Sequence, residues 1–226
     1  MIFKHLFVSA SADSKKDTLI YKCHQINQSF NKIDQIIIDH NNIGLPKVYN
    51  NILKEYKNKY DFIHFVHDDV FIYDDMDSLE NIITSYNYDI IGVAGSGRIA
   101  IKHPALWHIM GKDRMYGAVE HRNNQIQNDF QPKQYTVVYG PTSGEVIILD
   151  GVYICVRTKN INEWKFNENF NFHHYDIASC IDAFKIGLKL GVLPIHIRHE
   201  PIIYDPTKNE NWIQSNKKFL ELYATK

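Results

Sequence analysis

Apolar residues in the first half of this chain fall into short unbroken runs, each followed by a stretch of helical period. Phe3–Ser9, Ile33–Ile38, the segment from Asp61 to Val70 and Ile90–Ala94 read as strands. Runs without polar alternation mark strands covered on both faces. Between them, Thr18–Phe30, Leu45–Lys59 and Met76–Ser85 read as helices. In the second of these Leu45, Val48, Tyr49, Ile52, Leu53 and Tyr56 recur at helical spacing, and Pro46 suits a first turn. Strands and helices alternating at these intervals predict right-handed crossovers and a parallel sheet. Asp39 and the pair Asp68–Asp69 then fall at the same carboxyl rim, where such sheets bind ligands.

After Ile99 the pattern changes. From Ile99 to Tyr139 steady periodicity is lost in a stretch rich in aromatic, glycine and basic residues. A long irregular insert in a domain is more often functional than structural. Strands resume at Thr136–Val138, Glu145–Leu149 and Val152–Arg157, as an antiparallel or mixed portion. Phe172-His-His-Tyr-Asp176 opens a helix with Ile177, Cys180, Ile181 and Phe184 on one face; Leu190–Ile197 is the last strand and Asn211–Ala224 a closing helix. No repeat, low-complexity tract or linker divides the chain. Residues 1–226 are therefore expected to form a single α/β domain with a mixed, mainly parallel central sheet, helices on both faces and a small antiparallel portion.

Composition narrows the partners more than the fold. With 226 residues, 44% hydrophobic and 23% charged, the chain is an ordinary globular protein. Twenty-five basic against 26 acidic residues leave a net charge of -1, and no basic block offers the footprint of a nucleic-acid partner. Cys23, Cys155 and Cys180 are odd in number and widely spaced, which argues against a disulfide framework or zinc knuckle and for a reducing compartment. The start is too short for a signal-peptide core and no stretch approaches the roughly 20 apolar residues of a membrane span. The expected location is the cytoplasm, that of a host cell for a viral chain, without a membrane anchor.

Chemistry concentrates where apolar strands end. Asp61-Phe-Ile-His-Phe-Val-His67-Asp68-Asp69-Val70 runs from β-favouring residues into an imidazole and two adjacent carboxylates, which reads as a metal and phosphate site. Mixed Asp/His sites accommodate Mn²⁺ as well as Mg²⁺. Asp68 and Asp69 point in alternate directions if the strand persists, so one faces an ion while its neighbour serves something else. His199 also ends an apolar strand. Asp176 stands at a helix mouth, either as an N-cap or as a general base facing the same cleft. Gly140, Gly144 and Asp150–Gly151 are turn residues that also let a backbone approach a sugar or phosphate.

Taken in order, these pieces resemble the nucleotide-sugar glycosyltransferases of the GT-A fold, a Rossmann-like fold, and are similar to glycosyltransferase family 2. The resemblance rests on Phe7-Val-Ser-Ala-Ser11, Ile38-Asp39, Gly44-Leu-Pro-Lys-Val-Tyr-Asn50, Phe65-Val-His67-Asp68-Asp69-Val70, Gly92-Val-Ala-Gly95, Leu149-Asp150-Gly151, His174-Tyr175-Asp176 and His199. It implies that residues 1–98 form a nucleotide-binding half and residues 99–226 an acceptor and catalytic half. His67-Asp68-Asp69 falls on the family's acid-any-acid metal motif, with Asp69 as the ligand of Mn²⁺ or Mg²⁺. This chain has His67 where the family has a carboxylate, which leaves open whether Asp68 or His67 serves the ribose or the ion.

By the same resemblance Asp39 holds the nucleobase, Ser9 and Ser11 line its pocket, and Asp68 and Gly151 belong to the nucleotide site. His199 completes the metal or diphosphate site. Asp176 is the catalytic base, with Tyr175 in place of the usual preceding acid. Gly95, Asp150 and Trp107 are expected at the donor sugar or acceptor; Trp107 is either a stacking face or a core residue. The implied activity is metal-dependent, inverting transfer from a nucleoside-diphosphate sugar, UDP-sugar first, to a hydroxyl of a glycan acceptor. A non-catalytic nucleotide- or sugar-binding protein on the same fold, or a metal-dependent phosphohydrolase, are the alternatives.

Overall fold

A computed structural model describes residues 3–100, 102–110, 112–122, 134–161, 163–201 and 208–224. In chain order it contains the strands and helices β1 (His5–Ala10), α1 (Leu19–Ile26), β2 (Asp34–Ile38), α2 (Leu45–Tyr56), β3 (Phe62–Val66), β4 (Val70–Ile72), α3 (Met76–Thr84), β5 (Ile90–Gly92) and β6 (Ala94–Ser96). There follow α4 (Trp107–Met110), β7 (Met115–Arg122), β8 (Gln134–Val138), β9 (Gly144–Val146), β10 (Ile148–Leu149) and β11 (Tyr153–Arg157). The chain closes with α5 (Tyr175–Lys185), β12 (Leu190–Val192), β13 (Ile197–His199) and α6 (Glu210–Tyr223). Of the expected irregular stretch Ile99–Tyr139, positions 101, 111 and 123–133 lie outside the described residues.

The main sheet has seven strands in the order β2-β1-β3-β11-β5-β12-β9. Its first three strands are parallel, as the alternating pattern requires, and β5 and β12 are parallel as well. Strand β11 enters antiparallel between β3 and β5. Every residue of β3 and β11 is buried, because both faces are covered. On α2 the buried positions are Leu45, Pro46, Val48, Tyr49, Ile52 and Leu53, the stripe expected from the spacing. Tyr49 of that stripe packs on Phe65 of β3 and on Phe166, tying the helix to the sheet.

The antiparallel portion is a second sheet of six strands, β10-β6-β7-β13-β4 with β8 on β7. It arises because strands expected to be continuous change sheet midway. Leu190–Ile197 divides into β12 in the main sheet and β13 in the second. Pro194 lies at the break, where its missing N–H and fixed φ interrupt a ladder. Ile90–Ala94 likewise divides at Val93 into β5 and β6. Helix α1 stops at Ile26, short of Phe30, because the Asn27 side chain accepts the Ser29 backbone N–H and starts a separate 3₁₀ turn. Among the described residues no helix is long and apolar enough to cross a membrane.

Gly117 shows how tightly the sheets are joined. It has φ +99° in β7, and a Cβ there would sit 2.0 Å from the Val93 carbonyl oxygen. Gly187, at φ +83° after α5, has open space around the same position. Gly117→Ala is expected to cost both conformational strain and steric displacement, roughly 3 kcal/mol or more, against about 1 kcal/mol for Gly187→Ala. Denaturant melts of the two variants check this, and equal losses would mean that the contact at Val93 relaxes freely.

Candidate active site

The site forms where the chain passes from one sheet to the other. Strand β3 ends at Val66; His67, Asp68 and Asp69 make the turn, and β4 starts at Val70. The turn is pinned through its backbone. His67 N–H bonds to Val152 O at 3.1 Å, Asp68 O accepts the N–H groups of Leu19 and Ile20 at the mouth of α1, and Asp69 O accepts Glu200 N–H at 2.9 Å. The antiparallel pairing of β13 with β4 sets His199 opposite Val70 and so beside Asp69.

The two carboxylates separate even though the strand does not persist through them: the turn, not strand alternation, parts them. Asp68 bonds to the Ser11 side chain and lines a groove of about 740 Å³ with Ala12, Asp13, Asn42, Ile43 and Lys47. Burial raises its carboxyl above the usual range, with the Ser11 bond opposing. Asp69 instead meets His199, Oδ2 to Nε2 at 3.3 Å. Burial works against both charges, but the hydrogen bond between them wins: it holds the Asp69 carboxyl low and pushes the His199 imidazole up.

His67 completes a trio. Ligating atoms of His67, Asp69 and His199 all lie within 4.8 Å of one another. His67 Nε2 and Asp69 Oδ1 are buried with no hydrogen-bond partner among the described residues. Orphaned buried donors and acceptors cost about 1–3 kcal/mol each unless something else satisfies them. Two imidazoles and a carboxylate with unspent lone pairs suit a divalent cation, so the residues fit the ion that the motif implies.

Twelve histidines compete for such roles, and packing sorts them. His5, His24 and His64 are core residues. His64 stacks on Phe7 at 4.1 Å and bonds to the Tyr153 hydroxyl at 2.7 Å and to His5 at 2.9 Å. His121, on β7, is the one the irregular pattern around it concealed. Its ring lies 5.5 Å from that of His199, and only the parallel pairing of β7 with β13 brings the two together.

Asp176 lies in the first turn of α5 and faces a cleft of about 240 Å³ whose walls include His67, Trp107, Asp150, Gly151 and Trp212. Its Oδ2 accepts the Gly151 N–H at 2.9 Å. Burial, and then the nearby Asp150 carboxylate, push its carboxyl up to about 7. A Cβ on Gly151 would lie 2.9 Å from the Tyr175 hydroxyl and 3.1 Å from Asp176 Oδ2, so the glycine is what allows the close approach. Just before the helix, His174 holds a left-handed φ of 64°. It is fixed there by a 2.9 Å bond from its ring to Ser215 and by packing on Trp212 of α6.

The remaining expected residues are less gathered. Trp107 is buried against Tyr139 and also lines the cleft. Asp150 lines the same cleft while its Oδ1 caps the Val152 N–H at 3.0 Å. Ser11 stands at the groove through Asp68 and Asp13, whereas Ser9 is buried with its hydroxyl unpartnered among the described residues. Asp39 is exposed just after β2, accepts the Lys15 N–H at 3.4 Å and is not among the residues that line the groove. Gly95 is buried in β6, where a Cβ would lie 2.3 Å from Ile148 O; packing against β10 accounts for it. Phe172, half exposed, borders both the groove and the cleft and lies nearly parallel to the His67 ring at 6.1 Å.

A family model described as "Glycosyltransferase like family" matches residues 10–226. Among solved structures, S. aureus TarS 1-349 in complex with UDP aligns with a TM-score of 0.52 at 12% identity, over 99% of this chain and 67% of that one. A197 from STIV aligns with a TM-score of 0.46 at 14% identity, over 87% and 82%. The inositol-1-phosphate CTP transferase from T. maritima aligns at 0.42 and 11%, over 97% of each chain. The likeness to TarS shows a shared fold, the GT-A-like arrangement of mixed sheets and helices. No curated protein matches the sequence.

Proposed function

The chain belongs to the glycosyltransferase-like family, and from that premise we propose that it is a metal-dependent, inverting glycosyltransferase. It takes a sugar from a nucleoside diphosphate, UDP-sugar first, and places it on a hydroxyl of a glycan acceptor in the cytoplasm. The observation that carries this reading is a pair of carboxylates pushed in opposite directions, Asp69 grouped with His67 and Asp176 lining the cleft that His67 also lines. His199 holds the Asp69 carboxyl low, and burial pushes that of Asp176 up to about 7 in the cleft that His67 also lines. Groups with pKa values pushed apart in one site mark distinct chemical roles.

In this scheme the nucleotide occupies the groove beside Ser11, Asp39 and Asp68, within the half formed by residues 1–98. The UDP bound to the similar TarS supports uridine as the base. The sugar lies toward Asp150 and Gly151, at the border marked by Phe172. His67, Asp69 and His199 would hold a divalent ion, Mn²⁺ or Mg²⁺, and it would supply positive charge against the leaving diphosphate. Asp176 takes the acceptor hydroxyl's proton as that oxygen bonds to the anomeric carbon from the opposite face. The carbon–oxygen bond to the diphosphate breaks with its electron pair, so configuration inverts. The Gly151 N–H, bonded to one carboxylate oxygen, orients the base.

Incubating the protein with a panel of UDP-, GDP- and dTDP-sugars with and without Mn²⁺, and measuring free nucleoside diphosphate, tests the reading. Metal-dependent release from a UDP-sugar is expected, stopped by chelator. Release at the protein-free rate from every donor would sink it, and nucleotide binding without release would identify a non-catalytic binding protein.

A further inference from the structure

The composition of the metal trio departs from an all-carboxylate site in a way that makes its own prediction. Deepening the reading just given, we propose that His67, Asp69 and His199 bind a first-row transition ion in the absence of any nucleotide, and select against Mg²⁺.

The trio is already assembled by backbone geometry. His67 is held through Val152 O, Asp69 through Glu200 N–H, and His199 through the β13–β4 ladder. Their ligating atoms converge within 4.8 Å without any phosphate to gather them. Ligands on a common ion at about 2.1 Å stand at most roughly 4.2 Å apart, so small side-chain rotations suffice. A site preformed to this degree costs little ordering on ion binding. His67 Nε2 and Asp69 Oδ1, buried and without hydrogen-bond partners among the described residues, add unspent donor capacity at the same place.

Donor chemistry sets the selectivity. Mg²⁺ prefers oxygen ligands and gives up water reluctantly, whereas imidazole suits Fe²⁺, Ni²⁺ and Zn²⁺, and Mn²⁺ stands lowest in the first-row series. Two nitrogens and one carboxylate should therefore rank ions as Mg²⁺ far below Mn²⁺, with Co²⁺ and Ni²⁺ tighter again. The Asp69 side chain keeps 33% of its surface open and His199 17%, so an ion there retains positions for further ligands. His67 is the residue that distinguishes this trio from an oxygen-rich site, and it serves as a ligand.

The test uses the full chain, freed of metal with chelator and held without nucleotide. Titration with Co²⁺ is expected to give a saturable visible absorption band. Calorimetric affinities are expected to rise in the order Mg²⁺, Mn²⁺, Co²⁺, with Mg²⁺ at least about tenfold weaker than Mn²⁺. His67→Ala should weaken Co²⁺ by roughly 10- to 100-fold. His67→Asp should narrow the Co²⁺-to-Mg²⁺ ratio by about tenfold, and circular dichroism checks that each variant folds. Equal affinity for Mg²⁺ and Co²⁺, or an unchanged Co²⁺ affinity in a folded His67→Ala protein, would overturn the proposal. UDP binding is measured separately. UDP bound only with Mn²⁺, in a protein that takes no ion alone, would refute this inference and leave the transferase reading intact. Co²⁺ bound as ranked with no UDP affinity would do the reverse.

Discussion

Asp176→Asn is expected to lower kcat by about 10²- to 10⁴-fold while donor affinity stays within about twofold. The asymmetry follows from where the residue sits. Its carboxylate lines the cleft with Trp107, Asp150 and Trp212 and lies outside the groove lined by Asp68 and Lys47. Asparagine keeps an oxygen to accept the Gly151 N–H now bonded at 2.9 Å, so the start of α5 need not move. What it loses is the ability to take a proton. A variant with little loss of turnover would reduce Asp176 to a helix cap.

The same group predicts a pH profile. A general base works when ionised, so the wild-type rate should rise through about pH 7, where burial and Asp150 have moved the carboxyl. Stability runs the other way. A carboxyl whose folded pKa is raised contributes stability that is present below the unfolded value of about 3.9 and is lost as pH rises through the folded value. Above pH 7 the native protein therefore carries an ionised group in a site that disfavours the charge. Asp176→Asn removes that penalty, so its melting temperature at pH 8 should equal or exceed that of the native protein. A folded, equally stable and inactive variant separates loss of chemistry from loss of structure.

Part of the candidate site is legible in the sequence, and the reason differs residue by residue. Asp69 was legible because β3 is an apolar run that cannot contain a carboxylate, which forces the charge to the rim. Strand alternation was expected to part Asp68 from Asp69, but β3 ends before them and it is the turn that sends their side chains to different places. Asp176 was not: helix mouths favour carboxylates whether or not they face a cleft, and only the resemblance to a family separated the two. His121 escaped because its segment has no period, and Phe172 because it was expected inside the helix, which starts only at Tyr175. Each acquires meaning from an element distant in sequence, β13 for the first and the β3–β4 turn for the second. The second sheet was hidden for a related reason. A break such as that around Pro194 shows that a strand ends, but not that the chain continues into another layer.

Asp69→Ala is expected to abolish the metal-dependent part of nucleotide binding. In saturating Mn²⁺, UDP affinity should fall roughly 100-fold or more, to the value the native protein shows in chelator, and chelator should then have no further effect. The mutation takes away the carboxylate that holds His199 at 3.3 Å and supports its positive charge, so the second ligand loses its orientation along with the first. Asp68→Ala makes the discriminating control. That side chain bonds to Ser11 and borders the groove, so its loss should weaken UDP with and without Mn²⁺ by the same factor and leave the chelator ratio untouched. The two neighbours thus predict different patterns across four measurements, not merely two different losses. Should Asp68→Ala erase the metal dependence and Asp69→Ala preserve it, the ion belongs to the groove side of the turn and the His67–Asp69–His199 trio is a structural polar cluster. The backbone anchors on the carbonyls of Asp68 and Asp69 do not depend on either side chain, so both variants should keep the turn in place while the measurement is made.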